Sequence, residues 1–188
     1  MPHIHTGSGQ HDITTSAWIM MRDEHDVRVL VHMHRKNGKL MPVGGHIELD
    51  ETPWQTLIHE IKEESGYDVA DLEILQPYAE VPAISGATVH PVPVVSNTHK
   101  VSDTHFHSDY CYAFIAHGKP HDLPSEGEST DLRWLTLSEL DAAVENNDAL
   151  RDVADIYRHM VEKVMTEFHP VSTVLYAQDK PSSSLLHE

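Results

Sequence analysis

Glu60, Glu63 and Glu64 stand at i, i+3 and i+4 in a stretch where Trp54, Leu57, Ile58 and Ile61 recur at helical spacing. On a helix the three acids share a face beside the apolar stripe. Each like-charged pair costs such a helix roughly a few tenths of a kcal/mol, so something must compensate. Two readings stay open on these residues alone. One is a solvated acidic face with Lys62 nearby. The other is a hard-cation site, since Mg²⁺ takes oxygen ligands and keeps positions for water and substrate phosphates.

Histidine is the second chemistry-bearing residue type, with 17 in the chain. Alternation along a strand would turn His105, His107 and Asp109 to one face, across from His90 on a neighbouring strand, with His99 just upstream. These residues, with Tyr110, are read as lining a substrate pocket; a transition-metal site of imidazoles is the alternative. His3, His5 and His11 in the lead-in read as chance spacings of a histidine-rich chain, with folding over the pocket as the alternative. His59-Glu60-Ile-Lys-Glu63 misses the zinc-protease pattern, because the second histidine is absent. Cys111 reads as a small buried residue rather than a nucleophile.

The elements that must position these groups are marked by caps, turns and periodicity. Thr52-Pro53 with Gln55 opens a helix over 52–65, and Gly66 closes it in the left-handed conformation. Strands are expected at 13–21, 27–33, 72–75, 89–96, 109–116 and 133–135, with a sharp turn at Asn37-Gly38. Thr136-Leu-Ser-Glu139 is a second capping box, opening a short helix that fades at Asn146-Asn147. A longer helix is expected over 148–168, stopped by Pro170, and 171–176 reads as an arm or edge strand. Strands alternating with helices argue for a mixed α/β layer fold.

The run from Gly45 to Tyr67 resembles the Nudix box, G-x5-E-x7-R-E-U-x-E-E-x-G-U, where U is a bulky apolar residue. Gly45, Glu51, Glu60, Ile61, Glu63, Glu64, Gly66 and Tyr67 match at the required spacing. Met41-Pro-Val-Gly-Gly45 before it and Asp131–Leu140 after it are similar to the family's flanking segments, so the resemblance extends over about 12–168. It implies an α/β/α sandwich with a mixed sheet and a metal-dependent hydrolase of diphosphate bonds. It also implies Mg²⁺ or Mn²⁺ on Glu60, Glu63 and Glu64, with the Gly45 carbonyl and Glu128 from a later loop as further ligands. The departure is His59, which stands where the family has an arginine that orients a catalytic glutamate. At i−4 from Glu63 it can offer one hydrogen bond but no bidentate, permanently charged fork. Glu63, Glu60 and His59 are thus the expected catalytic group, and Glu51 is expected to brace the loop.

Pro82, 15 positions beyond Tyr67 (82 − 67), is similar to the spacing in ADP-ribose pyrophosphatases. That tilts the expected substrate toward ADP-ribose or a nucleotide sugar rather than a nucleoside triphosphate. Tyr78, Phe106, Tyr110 and Trp134 are available to stack on a base. The rivals are a Nudix-fold sensor that binds a nucleotide without cleaving it and a histidine-rich metal-binding protein. Isomerase chemistry of the isopentenyl diphosphate type is disfavoured by the intact glutamates.

Composition bounds the rest. The 188 residues, 39% of them apolar, suffice for one core, here expected as a lead-in over 1–11, a domain over 12–169 and an arm or tail over 170–188. Lys+Arg at 13 against Asp+Glu at 30 gives a net charge of −17, which opposes binding to nucleic acid or an anionic membrane. A phosphorylated ligand would need a cation between its phosphates and these carboxylates. One cysteine, no signal-like start and no spanning stretch give a cytoplasmic expectation, with a homodimer open.

Overall fold

The computed structural model describes residues 7 and 9–176; His3, His5 and the tail expected over 179–188 lie outside the described residues. Its centre is one mixed sheet. Strand β1 (His11–Arg22) runs parallel to β7 (His105–Ala116) in a ladder from His11↔Phe106 to Met20↔Ile115. Every other described strand pair is antiparallel. On the far edge of β1 lie β2 (Val27–His34) and β4 (Val43–His46), and β3 (Lys39–Met41) and β8 (Leu132–Leu135) pair with β2. On the far edge of β7 lie β5 (Leu72–Gln76) and β6 (Val95–Ser102), and β9 (His169–Ser172) pairs with β5.

Period-two alternation along β1 and β7 builds two cores, one on each face. Ala17, Ile19, Tyr112 and Phe114 face α1 (Pro53–Glu60) through Trp54, Leu57 and Ile61. Trp18, Met20, Cys111 and Ala113 face α3 (Arg151–His159) and its continuation through Val153, Tyr157, Met160 and Val164. The fold is therefore α/β, a mixed sheet with helices on both faces. The second capping box is present at the head of α2 (Leu137–Glu145), and α3 runs on through a π-helical turn to Glu167. No described helix is long and apolar enough to cross a membrane.

Two expected strands begin elsewhere. The strand expected over 89–96 enters the sheet only at Val95, because Pro91 and Pro93 have no N–H to give a ladder. The Gln76 side chain instead pins this approach, accepting from Val92 N at 2.8 Å and donating to Val92 O at 3.1 Å. The polar run to Ser102 is then a strand, hairpin-linked through Asp103-Thr104 to β7, which starts at His105 rather than Asp109.

Candidate active site

The first turn of α1 is fixed by a reciprocal cap: Thr52 Oγ1 accepts from Gln55 N at 3.3 Å, and Gln55 Oε1 accepts from Thr52 N at 2.9 Å. Trp54 stacks on Phe114 with centroids 6.2 Å apart and donates to Tyr176 O at 3.1 Å, which sets the rotation of the helix. With the apolar side committed to the sheet, Glu60 and Glu64 are carried to its margin. Beyond Glu60 the helix widens into a π-helical turn over Ile61–Ser65, ended by Gly66 at φ 77. A side chain at Gly66 would meet the backbone at Asp122.

The three acids meet different surroundings. Glu64 is 5% exposed, and its Oε2 accepts from Gly44 N at 2.9 Å and lies 3.6 Å from His32 Nε2. Burial first, then the charge of Glu60, pushes its pKa to about 9, with Glu128 and Glu63 adding and the Gly44 hydrogen bond opposing. His32 is buried too, and that burial lowers it to about 4, so the pair is a neutral imidazole beside a protonated acid at neutral pH. Glu60 is raised to about 7, by burial and then by Glu63, Glu128 and Glu51. Its carboxylate sits against Gly45, filling the space that any Cβ there would take. Glu63 is exposed.

Glu128 therefore lies within the field of both buried acids, from a loop whose backbone is tied to the helix by Ser125 N to Glu63 O at 2.7 Å. Lys62 does not neutralise the cluster. Its ammonium turns away to Asp122 at 2.6 Å and Asp68 at 3.1 Å. The acids are thus partly buried, mutually repelling and all-oxygen, around a glycine pair: a fit for a hard divalent cation and not for a solvated face.

His59 departs from its expected contact. Its Nδ1 lies 2.6 Å from Glu51 Oε1, not on Glu63, and Thr56 Oγ1 donates to Glu51 Oε2 at 2.8 Å. Glu51 reaches back over the first turns and captures the imidazole, which is 64% exposed. The expected pocket residues also divide. His105, His107 and Asp109 share the α3 face of β7, whereas Tyr110 packs on the α1 face. Asp109 is buried and fully engaged, accepting from Thr14 Oγ1 and Ser16 Oγ, both at 2.8 Å, and from Cys111 Sγ at 3.1 Å. A recess of about 270 Å³ opens beside it, lined by Ser96, Asn97, Thr98, Ser108, Asp109 and Tyr110.

His105 and His107 are joined by two residues that sequence reasoning missed, Asp12 on β1 and His46 on β4. His107 is lowered to about 4, by burial and then by His46, His99 and His105. His90 is not one of the cluster. The clue to Asp12 and His46 lies in pairing, Asp12↔His107 and Thr14↔His46, which the linear pattern does not carry.

A family model described as NUDIX domain matches residues 12–157. Among solved structures, a NUDIX-family hydrolase from Clostridium perfringens superposes with TM-score 0.61 at 27% identity, covering 78% of this chain and 93% of that one. A C. elegans Ap4A hydrolase in a binary complex gives 0.57 at 16%, covering 80% and 97%. The NUDIX domain of Shewanella oneidensis NrtR complexed with ADP ribose gives 0.57 at 16%, covering 82% and 88%. No curated protein matches the sequence.

Proposed function

Because the chain belongs to the NUDIX domain family and is a Nudix-type pyrophosphohydrolase, we propose that it cleaves a nucleoside diphosphate linked to a second group. ADP-ribose or a nucleotide sugar stands ahead of nucleoside triphosphates. The carrying observation is the set of partly buried carboxylates, Glu60 and Glu64 with Glu63 and Glu128 beside them, with Lys62, the lysine of the same helix, turned away to Asp122 and Asp68. Glycine at 44 and 45 leaves room for Glu60 and for the backbone to approach. The ligands named for an Ap4A hydrolase and for an ADP-ribose-bound domain of the same fold support a nucleotide.

Glu60, Glu63 and Glu64 would hold Mg²⁺ or Mn²⁺, with the Gly45 carbonyl and Glu128 as further oxygen donors. When bound, such ions neutralise a diphosphate against this acidic protein and lower the pKa of water at the site. Glu64 is positioned by the Gly44 N–H and Glu60 by its seat on Gly45. To Glu63, the exposed member, we assign the proton of the attacking water, since its exposure leaves it open to solvent. Glu51 holds the loop to α1 through Thr56 and His59.

The test is phosphate-coupled turnover of a nucleotide panel with Mg²⁺ or Mn²⁺, on wild type and Glu63→Gln. Metal-dependent cleavage of one substrate class is expected, falling by about 10²-fold or more in the variant. Tight nucleotide binding with no turnover anywhere in the panel would replace this reading with a sensor.

A further inference from the structure

We propose that Asp12, His46, His105 and His107 form a binding site for a divalent transition-metal ion of the zinc type, separate from the box carboxylates. The four side chains come from three adjacent strands, β1, β4 and β7, and one ligand atom from each lies within 4.8 Å of all the others. Asp12 Oδ2 is the hub, 3.2 Å from His105 Nε2 and 3.7 Å from His46 Nε2. In a tetrahedral zinc site with bonds near 2.0–2.1 Å, neighbouring ligand atoms stand ~3.3–3.4 Å apart. Two edges of the cluster are already close to that length, and the others lie within 4.8 Å.

The scaffold is rigid where it matters. Asp12 pairs with His107 across the parallel ladder, and His46 pairs with Thr14 two residues along the same strand. Side chains at Asp12, Thr14, His105 and His107 therefore share the α3 face of the sheet, the opposite face from α1 and its carboxylates. The rings are already gathered, His107 lying 4.7 Å from His46 and 5.0 Å from His105, centroid to centroid.

The cluster is shielded from water. Asp12 is 3% exposed, and the His105 and His46 side chains are 15% and 17% exposed. The buried His105 Nε2 makes no hydrogen bond within the described residues, although a carboxylate oxygen stands 3.2 Å away. A metal ion shared by these two atoms would bond to both. Asp109 on the same face is excluded as a ligand, since Thr14, Ser16 and Cys111 occupy its oxygens.

The donor set selects the ion. Three imidazoles and one carboxylate suit zinc and its transition-metal neighbours, whereas the box acids offer oxygen only and suit Mg²⁺ or Mn²⁺. Four protein ligands close the shell, so this ion would clip β1, β4 and β7 together without offering an open position for chemistry.

The test uses the untagged full chain, stripped by chelator, with excess Mg²⁺ present to occupy the carboxylates. Zn²⁺ is titrated by calorimetry, and Co²⁺ serves as a spectroscopic probe. The expected result is one Zn²⁺ per chain, a rise in melting temperature on binding, and the intense visible bands of four-coordinate Co²⁺. Affinity is expected to fall ~100-fold or more in His105→Ala and in His107→Ala. It should be unchanged in Glu60→Gln/Glu64→Gln and in His3→Ala/His5→Ala. Retention in a His105→Ala/His107→Ala double variant, loss in either control pair, or absence of Zn²⁺ binding would overturn the site. Should the histidine variants fail to fold, wild-type Co²⁺ spectra decide, and a six-coordinate spectrum counts against it.

Discussion

Glu64 is a buried acid among acids, with one N–H to hold it and its pKa raised to about 9. Removing its ionisable group should relieve the metal-free fold increasingly from pH ~4.5 to ~9, where only the unfolded chain ionises, and should ruin the site at any pH. For Glu64→Gln, whose amide oxygen can still accept from Gly44, the metal-free melting temperature should match wild type at pH ~4.5 and exceed it at pH 7 and still more at pH 9, by about 2–4 °C per kcal/mol gained. Metal-dependent turnover should meanwhile drop by about 10²-fold or more; thermal melts and the nucleotide assay read the two arms. His59 makes the opposite case. Its contact with Glu51 is largely solvent-exposed and reaches none of the box acids at 60, 63 and 64 directly. His59→Ala should therefore cost under about 1 kcal/mol and leave turnover within about threefold of wild type. A loss as large as that of Glu63→Gln would put His59 back in the machinery. Spacing put the three acids on one helix face and left two readings open; only the resemblance to the Nudix box implied a metal site there. The partner of His59 was not legible, since Glu51 arrives from the loop and helical spacing points only to Glu63.

At the scale of elements, α1 announces itself through Thr52, Pro53, Gln55 and Gly66, and the structure forms each of those devices. Thr52→Ala removes the cap and should cost ~1 kcal/mol, lowering the melting temperature by about 2–4 °C in a chain of this size. Gly45→Ala acts differently: its methyl enters the space of the Glu60 carboxylate, so metal-dependent activity should fall far more than stability. A melt and a turnover measurement on the same preparation separate the two effects. Strand β6 was illegible for a reason as physical as the helix cap. Its residues alternate between partial burial and exposure on a sheet margin, so polarity disguises a strand as a loop. The apolar run before it looks like a strand until Pro91 and Pro93 remove the donors.

Across the whole molecule, buried titratable groups of opposite type set the response to pH. Glu60 and Glu64 are raised from 4.5 to about 7 and about 9, so the folded chain holds more protons than the unfolded one in that window. Their stabilisation is full below pH ~4.5 and is lost as pH rises through the folded values. His32 and His107 are lowered from 6.5 to about 4, so their contribution grows with pH up to ~6.5 and then stays level. Above that point only the acids act, and the metal-free protein should melt lower at pH 9 than at pH 7. Excess Mg²⁺ should narrow the difference, because bound carboxylates must be ionised. A flat profile from pH 7 to 9 would contradict the burial of these acids.

The ladder between β1 and β7 has a consequence in time. Thr14 and Asp109, hydrogen-bonded neighbours in the finished sheet, are 95 residues apart along the chain. Closing so long a loop is entropically slow, and parallel pairing gives nothing back until the strands meet. During synthesis β1 can pair early with β2 and β4, but its other edge must wait for residues 105–116 to emerge, which leaves the apolar run Ala17–Met21 only half paired meanwhile. Refolding kinetics should show late formation of this pairing, and the interval before it is when the nascent chain is most exposed to aggregation.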